Sequence, residues 1–255
     1  MSKAILYDST LCIGCKACEG ACAERWGLPY NDKVAAESRL SAHKLTTIQT
    51  FGERYVRRLC MHCADPTCAS VCLVGAFQKT SLGPVVYDQN KCIGCRYCML
   101  ACPFQVPVYE WTSRLPRVRK CDMCYERLKA GKPTACAEAC PTGATISGDR
   151  DRLIADARRR ISEKPDQYYG RIYGIQEAGG TSTLILSAVP FEKLGLRTNL
   201  PNTPLPNLTW SVLSRTPDIG SMAAVVLGGI YWITHRREAV AAAEGPYGDG
   251  RAHER

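Results

Sequence analysis

The 255-residue sequence lacks the residue patterns that mark most enzyme active sites. It has no Ser/His/Asp set and no phosphate-binding glycine loop, and no pair of carboxylates stands out for acid–base work. We therefore predict that the chain has no catalytic residues of its own. Its formal charge of +9 comes without an RNP, zinc-finger or helix-turn-helix pattern, so no nucleic-acid partner is predicted.

An export signal is also absent from the residues before Cys12. They contain no apolar h-region and no twin-arginine pair. We expect that any export of this chain would depend on a bound subunit that carries such a signal.

Cysteine, in contrast, is abundant and regularly placed. All sixteen cysteines fall into four groups of four, here called the first to fourth quartets, and none is left over. Sixteen thiolates are what four [4Fe–4S] clusters require, at four cysteines each. The quartets are Cys12, Cys15, Cys18 and Cys22; Cys60, Cys63, Cys68 and Cys72; Cys92, Cys95, Cys98 and Cys102; and Cys121, Cys124, Cys136 and Cys140.

The spacing favours iron over the alternatives. The third quartet, CIGCRYCMLACP, is the bacterial ferredoxin run C-x2-C-x2-C-x3-C-P, and the first lacks only the proline. The second and fourth quartets have longer gaps and, taken alone, are compatible with a structural zinc protein. A zinc site usually takes two separated pairs, which would leave a middle cysteine unused. A disulfide scaffold is also disfavoured, because neighbouring cysteines such as Cys12 and Cys15 cannot easily find separate partners.

In two-cluster ferredoxins the fourth cysteine of each run ligates the other cluster. We therefore predict that the first and fourth quartets exchange their last cysteines, as do the second and third. The ligand sets are set A, Cys12, Cys15, Cys18 and Cys140; set B, Cys22, Cys121, Cys124 and Cys136; set C, Cys60, Cys63, Cys68 and Cys102; and set D, Cys72, Cys92, Cys95 and Cys98.

This exchange predicts an α+β fold of tandem bacterial-ferredoxin-like units over residues 1–147, with an inner unit of about 55–112 inserted into the outer one. The stretch Trp26–Leu59 interrupts the repeat and is predicted to be an inserted loop or hairpin that docks a partner. Residues 148–215 should hold an amphipathic helix over 149–164, a strand after a glycine turn, and an extended linker over 190–208.

A C-terminal transmembrane helix is predicted over 216–236, with a disordered tail over 237–255. Eighteen residues from Pro217 to Thr234 approach the length that crosses a bilayer. The alternative is a buried core helix. Arg236 and Arg237 favour a cytoplasmic C-terminus, which would place the cluster domain on the periplasmic side of the cytoplasmic membrane. A cytoplasmic cluster domain is the alternative that requires no export.

Beside iron–sulfur clusters, the basic residues can have an electrostatic role. Four clusters with about −2 each would bring the chain close to neutral, roughly +1. Residues beside the cysteines can offset that negative charge, although for most of them a solvated surface charge is the simpler interpretation. These residues are Lys16, Arg96, Arg117, Arg119 and Lys120. His62 is a candidate for tuning a cluster through a hydrogen bond to sulfur.

The segments CIGCKAC, CMHCADPTC, CIGCRYCMLACPF and KCDMC…ACAEACPTGA resemble the iron–sulfur beta subunit of membrane-bound respiratory formate dehydrogenases. The middle of the chain and IYGIQEAGGTSTLILSAV are just as similar to the four-cluster subunit of hydrogenase-2 type [NiFe] hydrogenases. Hydrogenase members usually carry their own twin-arginine signal, which favours the formate dehydrogenase branch here. Leu73 and Ala23 depart from the proline that often follows a fourth cysteine.

The resemblance implies a non-catalytic electron-transfer subunit. Its partners would be a large catalytic subunit with a molybdenum or tungsten bis-pterin, or a NiFe centre, and an integral membrane quinone-reducing subunit, often a b-type cytochrome. The outer unit would face the catalytic subunit and the inner unit the membrane. The alternatives are the same role in a periplasmic [NiFe] uptake hydrogenase, and a soluble polyferredoxin-like subunit of another molybdenum oxidoreductase.

Overall fold

The structure, a computed structural model, describes residues 2–114 and 116–244. Its strands are short, and the cysteine quartets lie in the loops and short helices between them. The strands are β1 Lys3–Asp8, β2 Thr47–Phe51, β3 Arg54–Arg58, β4 Phe77–Lys79, β5 Val85–Tyr87, β6 Val108–Tyr109, β7 Val118–Arg119, β8 Thr145–Asp149 and β9 Thr183–Leu186.

The helices complete a mixed α/β architecture. Short helices follow cysteines of each quartet, and longer ones lie in the C-terminal part. They are α1 Ala17–Trp26, α2 Asp32–Ala36, α3 Thr67–Ser70, α4 Tyr97–Ala101, α5 Tyr125–Lys129, α6 Ala135–Glu138, α7 Arg150–Glu163, α8 Leu205–Leu213 and α9 Thr216–Glu244.

A three-stranded sheet brings the two ends of the cysteine region together. β1 lies in its centre, antiparallel to β8 with Leu6 opposite Ile146, and parallel to β9 with Leu6 opposite Leu184. The first quartet begins just after β1, and the fourth quartet ends just before β8. Because these strands are paired, the two quartets are held at the same end of the sheet.

The predicted amphipathic helix over 149–164 is confirmed as α7. Leu153 and Ala157 are buried, and they pack with Leu6 and Leu184 of the sheet in one apolar cluster. The predicted strand after a glycine turn is likewise found, as β9 Thr183–Leu186. The helical spacing of its apolar residues was therefore sufficient to predict α7.

The stretch predicted to be an inserted loop or hairpin contains the helix α2 and the antiparallel hairpin β2–β3, with Gln49 opposite Val56. Ile48 and Val56 of this hairpin are buried, so it contributes to the core of the fold. Docking of a partner on this stretch stays a prediction.

The predicted extended linker over 190–208 is wrong for much of its length. Phe191–Leu194 forms a short 3-10 helix, and α8 begins at Leu205. Phe191 and Leu194 are almost completely buried, in an apolar cluster with Tyr173 and Leu196. A single 3-10 turn is too short to show a period, so the sequence pattern missed it.

The chain divides into two compact units between Asn207 and Leu208. Of the helices in the described residues, none is long and apolar enough to cross a membrane. The predicted transmembrane helix is therefore not supported. The uncharged part of α9, between Asp218 and His235, has only sixteen residues, and glycines dilute its hydropathy, whereas about 20 apolar residues are needed.

The predicted disordered tail is also wrong where it can be compared, because α9 continues to Glu244. The remainder of that prediction, residues 245–255, lies outside the described residues.

Candidate metal centres

Each quartet opens with the same backbone turn. The residue just before the second cysteine has a positive φ in all four: Gly14 at 72°, His62 at 49°, Gly94 at 73° and Met123 at 56°. This conformation suits glycine and is costly for most other residues. The turn curls the chain, so that the Gly94 and Met123 N–H groups donate to the sulfurs of Cys92 and Cys121 at 3.4 and 3.3 Å.

Other backbone N–H groups also point at cysteine sulfurs. The Ala76 N–H donates to Cys72 Sγ at 3.2 Å, and the Thr145 N–H donates to Cys140 Sγ at 3.4 Å. Hydrogen bonds to an ionised acceptor are stronger than neutral ones. These loops are therefore arranged to hold thiolates, which is the state that metal binding requires.

The cysteines predicted as set A meet around one small cavity. Cys12, Cys15 and Cys18 line it from one side of the sequence, and Cys140 lines it from more than a hundred residues further along. The sheet pairing of β1 with β8 accounts for this approach. The sheet therefore brings Cys140 to the cysteines of the first quartet, whereas the exchange of ligands itself stays a prediction.

The cysteines predicted as set B influence one another's ionisation. Burial raises the pKa of Cys22 to about 12, with Cys136 and Cys124 contributing to the rise. Burial also holds the pKa of Cys121 well above its ordinary value, and the largest contribution from a neighbouring group comes from Cys22. These contributions support the grouping of Cys22 with Cys121, Cys124 and Cys136.

In the inner region, too, cysteines of one predicted set raise one another's pKa. Burial raises the pKa of Cys63, and the neighbours that add to the rise are the other cysteines predicted as set C, Cys60, Cys102 and Cys68. Burial raises the pKa of Cys98 to about 11, and the contributing neighbours are the other cysteines predicted as set D, Cys92, Cys95 and Cys72.

Three pairs of cysteines, here called junctions, link neighbouring sets, because one cysteine of each pair contributes to the pKa of the other. Cys136 of set B adds to the burial that raises the pKa of Cys18 in set A. Cys60 of set C adds in the same way to the pKa of Cys121 in set B. Cys98 of set D adds to that of Cys68 in set C, where burial and Cys60 have the larger effects. These contributions link set A to set B, set B to set C and set C to set D.

Within the described residues, no three histidine, cysteine or carboxylate side chains converge as ligands of a single metal ion. A [4Fe–4S] cluster has a different requirement, because its four thiolates bind four separate irons. The donor chemistry suits that cluster, since each predicted set offers four cysteines and backbone N–H groups donate to sulfurs of sets A, B and D.

His62 supplies a further polar group beside set C. Its side chain is fully buried, and Nδ1 accepts a hydrogen bond from the Val85 N–H at 2.9 Å. Burial, together with Lys120 and Lys79, holds its pKa well below the usual value, so the ring is neutral and its proton lies on Nε2. Nε2 has no partner among the described residues, and a bound cluster's sulfur is a suitable acceptor.

The basic residues noted beside the cysteines have different environments. The Lys16 ammonium donates to the Ala35 carbonyl at 2.6 Å, Arg119 pairs with Glu110 at 2.7 Å, and the exposed Arg96 stacks on Trp111. Lys120 is buried. Sequence reasoning missed Arg57, which is also buried, because it lies in the insertion and not in a cysteine motif.

Comparisons with known proteins agree with this donor set. The family model described as "4Fe-4S dicluster domain" matches residues 52–150. A protein of Nitratidesulfovibrio vulgaris is 38% identical over 95% of this chain and 70% of its own length. Hydrogenase-2 operon protein HybA of Escherichia coli O157:H7 is 36% identical over 76% of this chain and 73% of its own length.

The iron–sulfur subunit of the nitrate-inducible formate dehydrogenase of Escherichia coli K12 is 34% identical, over 70% of this chain and 66% of its own length. These similarities extend beyond the region matched by the family model, since residues 52–150 alone are well under half of the chain. The chain belongs to the family of iron–sulfur subunits, with a ferredoxin-like 4Fe-4S dicluster domain, that includes HybA and the formate dehydrogenase iron–sulfur subunits.

Proposed function

We propose that this chain is a non-catalytic electron-transfer subunit that holds four [4Fe–4S] clusters in sets A to D. Each cluster, when bound, exchanges single electrons with a neighbouring centre. The observation that carries the proposal is the meeting of Cys12, Cys15 and Cys18 with Cys140 around one cavity. The three junctions, Cys18 with Cys136, Cys121 with Cys60, and Cys68 with Cys98, support adjoining sets. A row of adjoining sets suits a linear path for electrons.

In this proposal the protein's own residues prepare the sites. Backbone N–H groups donate to the sulfurs, and the left-handed turns fix the direction of each thiolate. The interior excludes water from most of the outer cysteines. The tandem arrangement, with the inner unit inserted in the outer one, follows from the same ligand sets.

The partners we propose are a large catalytic subunit of the formate dehydrogenase type, with molybdenum or tungsten bis-pterin, and a quinone-reducing membrane subunit. The family to which the chain belongs supports this choice. A [NiFe] hydrogenase is the second candidate, and it is favoured by the longer similarity to HybA, over 76% of the chain against 70%. We place the complex at the cytoplasmic membrane through the membrane subunit, with the clusters on the periplasmic side.

Elemental analysis of the complex isolated through this chain tests the proposal. We expect about sixteen irons bound by this chain, and molybdenum or tungsten from the partner. Nickel without either metal would assign the hydrogenase. Zinc with no broad absorbance near 400 nm would overturn the iron–sulfur assignment altogether.

The linear path has its own test in Cys98→Ala. Loss of a set D ligand should block quinone reduction while sparing substrate oxidation with an artificial acceptor at the catalytic subunit. Ser70→Ala, a nearby exposed position, is the matched control and should behave as wild type. Undiminished quinone reduction by the Cys98 variant would contradict a path through set D.

A further inference from the structure

Two buried cations stand out because neither has a carboxylate partner. Arg57 is 2% exposed and Lys120 is 5% exposed, yet no carboxylate of the described residues lies within 4.0 Å of either. An uncompensated charge inside a protein costs several kcal/mol, so buried charges are normally paired. The missing counter-charge is the fact to be explained.

The position of Arg57 indicates where its counter-charge lies. Its guanidinium donates to the hydroxyls of Thr46 at 2.9 Å and Thr145 at 3.3 Å, both uncharged. Thr145 also lines the cavity of set A, and Arg57 lies opposite Ile48, which packs in one apolar cluster with Cys18 of set A and Cys136 of set B. Arg57 therefore lies beside sets A and B, and the sulfurs of Cys136 and Cys18 raise its pKa against the effect of burial.

Lys120 has the same relation to the next junction. Its ammonium donates to the backbone carbonyls of Val85 and, at 2.9 Å, of Cys121. The Val85 N–H donates in turn to Nδ1 of His62 at 2.9 Å, and His62 lies between Cys60 and Cys63 of set C. Lys120 therefore adjoins Cys121 of set B and the His62 turn of set C.

Lys44 shows that this fold does pair a buried cation elsewhere. It is 3% exposed, and its ammonium lies 2.8 Å from the Glu19 carboxylate. It also donates to the carbonyls of Val34 and Glu37. The contrast with Lys44 makes burial without a carboxylate a specific property of Arg57 and Lys120.

We propose that Arg57 and Lys120 are the counter-charges of the iron–sulfur clusters, Arg57 shared by sets A and B and Lys120 shared by sets B and C. The inference rests on the proposed four-cluster function. A cluster with four thiolates carries about −2 and gains a further negative charge on reduction. A fixed buried cation stabilises the reduced form more than the oxidised form, so it raises the reduction potential.

The geometry makes a selective prediction. Removing the charge of Arg57 lowers the potentials of clusters A and B, and removing that of Lys120 lowers the potentials of B and C. Neither cation is assigned to cluster D, so its potential should change least. Only cluster B should respond to both changes.

The experiment uses the intact complex with Arg57→Met and Lys120→Met, the charge-retaining variants Arg57→Lys and Lys120→Arg, and Arg96→Met as control. Arg96 is an exposed cation directly after Cys95, so water should reduce its effect. Iron content is measured first, and midpoint potentials then follow from redox titration monitored by electron paramagnetic resonance.

We expect each Met variant to shift two of the four potentials downward, with one cluster common to both, and each charge-retaining variant to stay near wild type. Full iron with four unchanged potentials in Arg57→Met would overturn the proposal. If that variant loses iron, restoration by Arg57→Lys supports the counter-charge, and equal loss in both variants overturns it. Wild-type protein without iron would instead refute the proposed function itself.

Discussion

The outer quartets, first and fourth, and the inner quartets, second and third, share one chemistry but lie in different surroundings. Of the eight outer cysteines five are buried: Cys18, Cys22, Cys121, Cys124 and Cys136. Of the eight inner cysteines only two are buried: Cys60 and Cys98. The outer sulfurs therefore belong to the core of the fold, whereas most inner sulfurs lie nearer to its surface.

The difference follows from what supports each pair of quartets. The outer quartets are joined by the three-stranded sheet and its packed helix, and Cys18, Cys121 and Cys136 share an apolar cluster with Ile5. The third quartet is flanked by two-stranded hairpins of two or three residues a strand, and Ile93 and Leu100 beside it are exposed. Loading with metal should therefore be coupled to folding more strongly in the outer region.

The largest expected effect comes from a matched pair of ligand changes. Cys121 and Cys92 each open a quartet and accept an N–H from the residue two further on, at 3.3 and 3.4 Å, but only Cys121 is buried. Cys121→Ser should cost more than about 5 kcal/mol of stability, or roughly 10–20 °C in apparent melting temperature. Cys92→Ser should lower the apparent melting temperature by no more than roughly 5 °C.

Iron analysis and thermal melts at one scan rate check this pair. Each variant should lose at least about four irons, the content of one cluster. Equal losses of melting temperature would show that burial of the sulfurs does not separate the two regions.

The part of this site that the sequence predicts is the part determined by local spacing. Cysteines separated by two or three residues define a tight loop with sulfurs on its inside, so the first and third quartets follow from the motif alone. Cys140 joins Cys12 through the pairing of β1 with β8, and the exchange rule of two-cluster ferredoxins anticipates that approach. The exchange of ligands itself stays a prediction.

Arg57 could not be found in this way. Its relation to Cys136 spans almost eighty residues and depends on how the β2–β3 hairpin packs, which no short motif encodes. The buried turn at Phe191 was missed because a single 3-10 turn has no period. At α9, aromatic residues and flanking arginines resembled a membrane segment although the apolar length is too short.

The second prediction concerns the buried ion pair between Glu19 and Lys44 in the outer region. Glu19 accepts from the Ile48 N–H at 2.6 Å and the Tyr30 hydroxyl at 2.8 Å, besides pairing with Lys44. Glu19→Gln leaves Lys44 buried and unpaired, which should cost roughly 3–5 kcal/mol in denaturant unfolding. The double change Glu19→Gln with Lys44→Met should recover part of that loss, and no recovery would mean that the ion pair is not the cause.

A third, smaller effect is expected at the two CIGC turns, which open the first and third quartets. Gly14 and Gly94 have nearly the same φ, 72° and 73°, so alanine at either position costs about 1–2 kcal/mol from the backbone alone. A Cβ on Gly14 would lie 2.5 Å from the Tyr55 ring, whereas one on Gly94 would lie 3.0 Å from the Tyr109 hydroxyl. Gly14→Ala should therefore be the worse variant, by roughly 1–2 kcal/mol in unfolding at matched iron content.

The smallest expected effect distinguishes the two CxxC turns that lack glycine. His62 and Met123 occupy the same place before the second cysteine, with φ of 49° and 56°, but only His62 offers a buried N–H, on Nε2. His62→Met gives the second quartet the residue that the fourth already carries in this turn. Loss of a hydrogen bond to sulfur should lower the potential of cluster C by roughly 40 mV, equivalent to about 1 kcal/mol.

Redox titration of the His62→Met complex, with iron content measured beside it, separates this electrostatic role from simple packing. His62→Gln is the informative companion, because its amide retains a donor of similar reach. If His62 acts through Nε2–H, the glutamine variant should recover part of the lost potential while the methionine variant does not. If both variants keep the wild-type potential at full iron content, the imidazole only fills space, and the inner and outer turns are then equivalent despite their different residues.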